Sequence, residues 1–460
     1  MPLSAWSKRQ SVLAGLVGAR FAVLFARAFL PLGLPEIWRQ TDTLGVALRY
    51  WLRWTVELNP GPRLLPAILN SGDTLGIMPM EFPLLNLISA PFFALGSRAG
   101  QTGALLFLFA LSLALTIANV RLWRGKLVAG VDAGTAMWLL PLVSIGADWV
   151  GKFMPDYPAM LLVLIAVGLS WEKDRPGISG LLAALGLLMK PTSVVVFALW
   201  LVRPYSRSKI KATSVWLFPA LAIAGFYYTY GVSFIREYRE LEMQFAIRPP
   251  QGLRGLYQFV ADPWGLAKFW IKNAFFPFGV CFLLPLYVYR SLEQRRNWFG
   301  KLWLVLLIQI VGIAFLAGNL SLTHDYYFMG IMPVTALLVL QAWDLARVKG
   351  LRFFIAAAIG VHLFELCYLD FRSQWHRPPL PYWTAQSECG ELKRRHPEFP
   401  WGRGEVFRSS PESYPALGLC FGEREGSRLS PYGFFWKDGS LPAECQKVDE
   451  MSAVQIVTCR

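Results

Sequence analysis

The sequence predicts an all-α polytopic membrane protein of about 11 transmembrane helices, N-terminus in and C-terminus out, closed by a small extracytoplasmic C-terminal domain. Three observations carry that expectation. Of 460 residues, 55% are hydrophobic and only 16% charged, with mean hydropathy +0.40, whereas soluble proteins are about a quarter charged. Long apolar runs recur from the N-terminus to about residue 370, as a chain that crosses a bilayer many times requires. Basic residues gather in the turns assigned to the cytoplasm, so the formal net charge of +15 is an orientation signal and not a nucleic-acid footprint. The 19 Trp and 32 Phe suit aromatic belts at two interfaces.

The first span is 11–34, with Lys8 and Arg9 on its cytoplasmic flank. Its apolar body is too long for a signal-peptide core and reads as a retained anchor. Arg20 and Arg27 lie inside it. A charge near the bilayer centre costs about 2.5–3.5 kcal/mol, so both are expected to face protein or a wet cavity. Residues 83–96 are apolar but short; a helix of that length reaches about 21 Å against the roughly 30 Å of hydrocarbon. They are therefore placed along the outer interface, and 101–120 becomes the next span. That choice puts Arg121, Arg124 and Lys126 in the cytoplasm. Further spans follow at about 127–147, 157–171, 177–189, 191–203, 212–231, 273–290, 302–319, 326–346 and 351–370. Between them, Lys173, Arg203, Lys209, Arg295 and Arg347 mark cytoplasmic turns.

The pair 177–189 and 191–203 is unusual, since each is near 20 Å and too short to cross alone. They meet at MKPT, where Pro191 follows Lys190. This reads as a helical hairpin ending inside the outer half of the membrane, where broken backbone is tolerated only against protein or water. The chain divides into a membrane catalytic region, 1–370, and a C-terminal domain, 371–460, rich in Pro, Gly, Glu and Arg. That domain holds Cys389, Cys420, Cys445 and Cys459, enough for two disulfides in three possible pairings.

With this topology the polar residues of interest share the outer side: Asp42, Asp73 and Glu81 in the first loop, Lys152 and Asp156 in the second, Lys190 at the hairpin tip, His324 and Asp325 in the turn before 326–346. Glycosyl transfer from an isoprenoid phosphate needs such a set. A carboxylate takes the proton of the attacking hydroxyl, a role for Asp42. Cationic groups neutralise the leaving phosphate, for which Arg39, Lys152, Lys190 and His324 are the candidates. Structural readings stand beside these. Asp42 can cap the helix that follows it, Asp156 reads first as an N-cap, and Glu81 can begin the interfacial helix. Lys190 is harder to explain that way, because a lysine at membrane depth needs a partner or water. Arg20, Arg27 and Glu365 read as structural groups, Cys281 and Cys367 as core. Metal-ligand spacing is absent locally, and a divalent ion bridged by Asp42 and Asp156 from separate loops is left open; no other cofactor is implied.

WRQTDT (38–43), MEFPLLNLISAPFFALG (80–96), RLWRGK (121–126), MPDYP (154–158), LLMKPT (187–192) and HDYYF (324–328) occur in one order. In that order they resemble the GT-C class of integral-membrane glycosyltransferases, nearest the family-39-like enzymes related to protein O-mannosyltransferases and the lipid A aminoarabinose transferase. The resemblance covers most of 1–370 and none of 371–460. It implies a polyprenyl-phosphate sugar donor and transfer to an envelope glycan, lipid or protein acceptor at the outer face of the cytoplasmic (inner) membrane. It also implies catalytic roles for Asp42, Glu81 and Asp156. Phe82 stands where the aminoarabinose enzymes carry a basic residue, which leaves the phosphate to Arg39, Lys152, Lys190 or His324. Asp42-Thr43 replaces the Asp-Glu pair of the mannosyltransferases, so protein mannosylation is not carried over. Two other functions compete: a lipid-linked glycan transporter or flippase, which predicts related halves with interrupted helices, and a polymerase or ligase using diphosphate-linked oligosaccharides.

Overall fold

The computed structural model describes residues 8–30, 40, 43–48, 50–51, 82–128, 130–142, 149–172, 176–202, 215, 217–229, 251–265, 298–318, 325–345, 352–353, 356–357, 360–361, 363–364, 368, 380–399, 407–409, 432–437 and 441–459. Helix α1 is Lys8–Arg27, α2 is Leu84–Ser89 continued by a 3-10 turn Ala90–Leu95, and α3 is Ser97–Trp123. A two-stranded ladder, β1 Leu127–Val128 and β2 Val131–Asp132, leads into α4, Ala133–Leu139. Then come α5 Asp156–Glu172, α6 Pro176–Met189 and a 3-10 helix Pro191–Val202. Helices α7 Leu217–Thr229, α8 Gly252–Ala261 and α9 Trp298–Ala317 follow. A second 3-10 helix, Asp325–Ile331, runs into α10, Met332–Leu345.

Among the described residues, three helices are long and apolar enough to cross a membrane: Gln10–Arg27, Ser97–Trp123 and Tyr326–Asp344. The shorter apolar helices include Leu84–Leu95, Asp156–Trp171, Gly177–Met189 and Lys301–Ala317. Residues 84–95 form a short helix that passes into a 3-10 turn at Ala90, while α3, at about 40 Å, exceeds a bilayer core. Arg20 and Arg27 are buried, which matches the expectation that they face protein. The expected span 273–290 and the residues Cys281, Glu365 and Cys367 lie outside the described residues.

The expected span 127–147 differs. It opens as the β1–β2 hairpin, and α4 is seven residues long, about 10 Å. The cause is local. Gly130 has φ +82°, which turns the chain back. Asp132 then caps α4, accepting from the backbone N–H of Gly134 and Thr135, and it also accepts from the Gln10 side chain. The second difference is in geometry: residues 191–202 form a 3-10 helix, about 24 Å long, where an α-helix was expected. The β-branched run Val194-Val195-Val196 lowers α-helical propensity there. Gln309 on α9 donates to Val195 O at 3.0 Å and Gly330 O at 3.4 Å, supporting carbonyls of both 3-10 helices.

The sequence past the apolar helices adds α11, Leu380–Arg395, and strands β3 Phe407–Ser409, β4 Tyr432–Trp436, β5 Cys445–Glu450 and β6 Val454–Cys459. The sheet order is β3-β4-β6-β5, with β3–β4 parallel and the rest antiparallel, so the chain is not all-α throughout. A disulfide joins Cys445 to Cys459, while Cys420 lies outside the described residues. Glu388 on α11 accepts from the backbone N–H groups of Ser452 and Ala453, holding the β5–β6 turn.

Next to that turn, His396 bonds Asp449 at 3.0 Å and Glu398 at 2.8 Å. Burial pushes its pKa down, but the bonds to the two carboxylates win and raise it above the ordinary histidine value. Asp449 is held low, chiefly by its bond to His396. The raised histidine contributes stability below its unfolded value of about 6.5 and loses it as pH rises through the folded value; the lowered aspartate loses its share as pH falls through its own. Protection factors of the β5–β6 amides in the intact protein, which correct for the intrinsic base catalysis of exchange, should therefore fall as pH rises past the His396 titration, and His396→Gln should remove that fall. An unchanged profile in the variant would rule the histidine out as its source.

Candidate functional site

The site grows from the break at MKPT. Pro191 has no N–H and disfavours helical conformation in the residue before it, so α6 stops at Met189 and Lys190 becomes the link to the 3-10 helix. Its backbone stays tied at both sides: Lys190 N–H donates to Gly186 O at 2.9 Å, and Ser193 N–H to Lys190 O at 3.1 Å. The side chain, 3% exposed, places Nζ 3.2 Å from Oδ1 of Asp156, which is 1% exposed. A pair this deep holds because each charge compensates the other where water does not.

Asp156 is the first residue of α5 and comes at the end of a tight connection. Lys152 N–H donates to Trp149 O and Met154 N–H to Lys152 O. Gly151 has φ +84°, a conformation that favours glycine, and a Cβ there would also meet the Leu24 side chain of α1 at 2.7 Å. Lys152 is buried on the same connection. Below Asp156, the Tyr157 hydroxyl and Thr116 of α3 share a 3.0 Å hydrogen bond.

The 3-10 helix Asp325–Ile331 brings in an aromatic pair. A Cβ on Gly330 would lie 2.5 Å from Val195 Cγ2, and that close approach seats the two 3-10 helices together. Nζ of Lys190 then stands 5.1 Å from the ring centroids of both Tyr326 and Tyr327. Trp149 meets Tyr326 edge-on at 5.2 Å.

Of the residues singled out from sequence, the structure brings Asp156 and Lys190 together and buries Lys152 nearby in the chain. Asp42, Glu81, Arg39 and His324 lie outside the described residues, as does Asp73. Their chain neighbours are placed. Asn86 Nδ2 donates to Thr43 O at 2.6 Å, fixing the residue after Asp42 against α2. Phe82 N–H donates to Leu188 O at 3.0 Å, and the Tyr228 hydroxyl to the same oxygen at 2.8 Å, so the residue after Glu81 sits two positions from Lys190. Leu44, Leu85, Phe153, Ala159 and Met189 share one buried apolar cluster. Each is within four residues of Asp42, Glu81, Lys152, Asp156 or Lys190. Trp149, Tyr326 and Tyr327 were not among the sequence candidates; the HDYYF motif was the signal for the two tyrosines, and Trp149 lies in the loop 148–156. Among the described residues no three His, Cys, Asp or Glu side chains gather as a metal site.

Comparison with known protein families finds no match, and comparison with curated proteins finds none. Solved structures do match. ArnT from Cupriavidus metallidurans, in the apo state, aligns over 98% of this chain and 98% of its own with TM-score 0.54 and 10% identity. This chain has the GT-C fold. The Archaeoglobus fulgidus oligosaccharyltransferase in complex with Zn and sulfate aligns over 92% of this chain and 68% of its own, with TM-score 0.50 and 13% identity. At these identities the likeness is one of fold. The GT-C fold is a polytopic membrane fold, and the buried Lys190–Asp156 pair lies at a break in its helices.

Proposed function

We propose that the chain is a GT-C glycosyltransferase that moves a sugar from a polyprenyl-phosphate donor to a cell-envelope acceptor at the outer face of the cytoplasmic membrane. The observation that carries this reading is the buried Lys190–Asp156 pair at the end of a broken apolar helix, with Phe82 docked beside it. A lysine held inside an apolar protein at a helix break is suited to an anion with a lipid tail. ArnT, a lipid A aminoarabinose transferase, and the oligosaccharyltransferase add the support of a shared fold.

The acceptor oxygen attacks the anomeric carbon, the bond from that carbon to the phosphate oxygen breaks, and polyprenyl phosphate leaves with one more negative charge. Asp42 takes the acceptor proton. Lys190, with Arg39, Lys152 and His324, neutralises the charge that grows on the phosphate. Glu81 aligns the acceptor, and Asp156 holds Lys190. A divalent ion between Asp42 and Asp156 is not favoured, because the Asp156 carboxylate already faces the Lys190 ammonium at 3.2 Å and that charge opposes a second cation there. No step is therefore routed through a metal. The 1–370 region would carry this reaction and 371–460 would sit outside as an accessory domain.

The test is transfer by the purified protein in vesicles, given a polyprenyl-phosphate sugar and an envelope extract. Free polyprenyl phosphate should accumulate as the sugar passes to the extract. A donor that stays intact would overturn the reading.

A further inference from the structure

Lys190 has more around it than an ion pair. We propose that Tyr326 and Tyr327 are positioning residues whose ring faces hold the Lys190 ammonium at the end of the broken helix where it meets the donor phosphate. This rests on the reading of Lys190 as a phosphate contact.

Both centroids are 5.1 Å from Nζ, inside the roughly 6 Å over which an aromatic face attracts a cation. Two adjacent residues of the second 3-10 helix reach one ammonium, with ring centroids 4.8 Å apart and ring planes 34° from parallel. Tyr326 is buried and braced edge-on by Trp149, so its face is fixed. The turn itself is seated by Gly330 against Val195. Asp156 supplies the remaining direction at 3.2 Å.

The division of labour has a physical reason. A second carboxylate beside Lys190 would also hold it, but would leave a net negative charge and repel a phosphate. A ring quadrupole attracts the ammonium and adds no net charge. The two rings thus add to the hold of Asp156 on the lysine without adding charge, and its field remains available to an arriving phosphate.

The experiment measures binding of a short-chain polyprenyl phosphate to the full-length protein in nanodiscs. Four forms are compared: wild type, Lys190→Ala, the double variant Tyr326→Phe with Tyr327→Phe, and the double variant Tyr326→Leu with Tyr327→Leu. The phenylalanine pair keeps both faces and should bind within about twofold of wild type, while the leucine pair should lose on the order of tenfold. A series of increasingly fluorinated phenylalanines at both positions drains the ring faces at nearly constant shape. It should weaken binding stepwise, and that series decides the matter if the leucine pair fails to fold. The trend should vanish in a Lys190→Ala background.

Equal losses in the phenylalanine and leucine pairs would place the effect in the hydroxyls and overturn the proposal. A flat fluorination series with weak binding by Lys190→Ala would overturn the ring clamp alone. Wild-type binding by Lys190→Ala would instead remove Lys190 from the phosphate site, and with it the reading on which the clamp rests.

Discussion

Asp42→Asn should reduce sugar transfer to about 1% of wild type or less, with the protein present at normal level. A positioned general base contributes roughly 10²–10⁴-fold, because the acceptor hydroxyl must lose its proton as it attacks. Asparagine keeps the shape and one oxygen of the side chain but takes no proton, so it removes the chemistry and spares the loop. The loop is expected to survive: Thr43 is held through its own backbone carbonyl by Asn86, and Leu44, Ala47 and Leu48 are buried in the apolar cluster beside it. Asp42→Ala should behave in the same way. Full transfer by both variants, measured as free polyprenyl phosphate released per protein, would remove Asp42 from catalysis and return it to the helix-capping role that the sequence also allows.

Loss of one member of the Lys190–Asp156 pair should be the most damaging change to stability. Lys190→Ala removes the ammonium 3.2 Å from a buried carboxylate, and Asp156→Ala removes that carboxylate from a buried ammonium; breaking such a pair costs about 3–5 kcal/mol. The double variant Asp156→Leu with Lys190→Met removes both charges and fills the space. It should recover most of the lost melting temperature and still fail to transfer sugar. That separation of stability from activity distinguishes a pair that only braces the fold from one that also serves the donor. Single variants that melt like wild type would show that the pair carries little of the fold. A double variant with normal transfer would show that Lys190 takes no part in the reaction.

Much of this framework was legible in the sequence, and specific residues show why. The long apolar run now seen as Ser97–Trp123 and the short one at Leu84–Leu95 differ in length alone, and length is what the bilayer thickness tests. Pro191 forced a helix end wherever the surrounding residues packed, so the break at Lys190 could be read without knowing its partners. The segment from Leu127 could not be read in the same way. An apolar run in a buried hairpin looks like an apolar run in a helix, and the decision lay in Gly130 and the cap at Asp132. Asp156 was ambiguous for a related reason: an acid at a helix start suits capping as well as pairing, and only the fold brings Lys190 to it from 34 positions away. The ring contacts of Tyr326 and Tyr327 were beyond reach of periodicity, since they depend on how two 3-10 helices meet at Gly330. In the C-terminal region the cysteine count allowed three pairings, and strand register joined Cys445 to Cys459.

The most direct measurement uses right-side-out membrane vesicles that carry the protein, supplied from outside with a polyprenyl-phosphate sugar labelled in the sugar. The predicted result is that label moves from the donor to envelope material and that free polyprenyl phosphate appears in equal amount, with vesicles carrying Asp42→Asn as the inactive control. Label that stays on the donor at the level of that control, in vesicles where the wild-type protein is folded and abundant, would contradict a glycosyltransferase whose site faces outward.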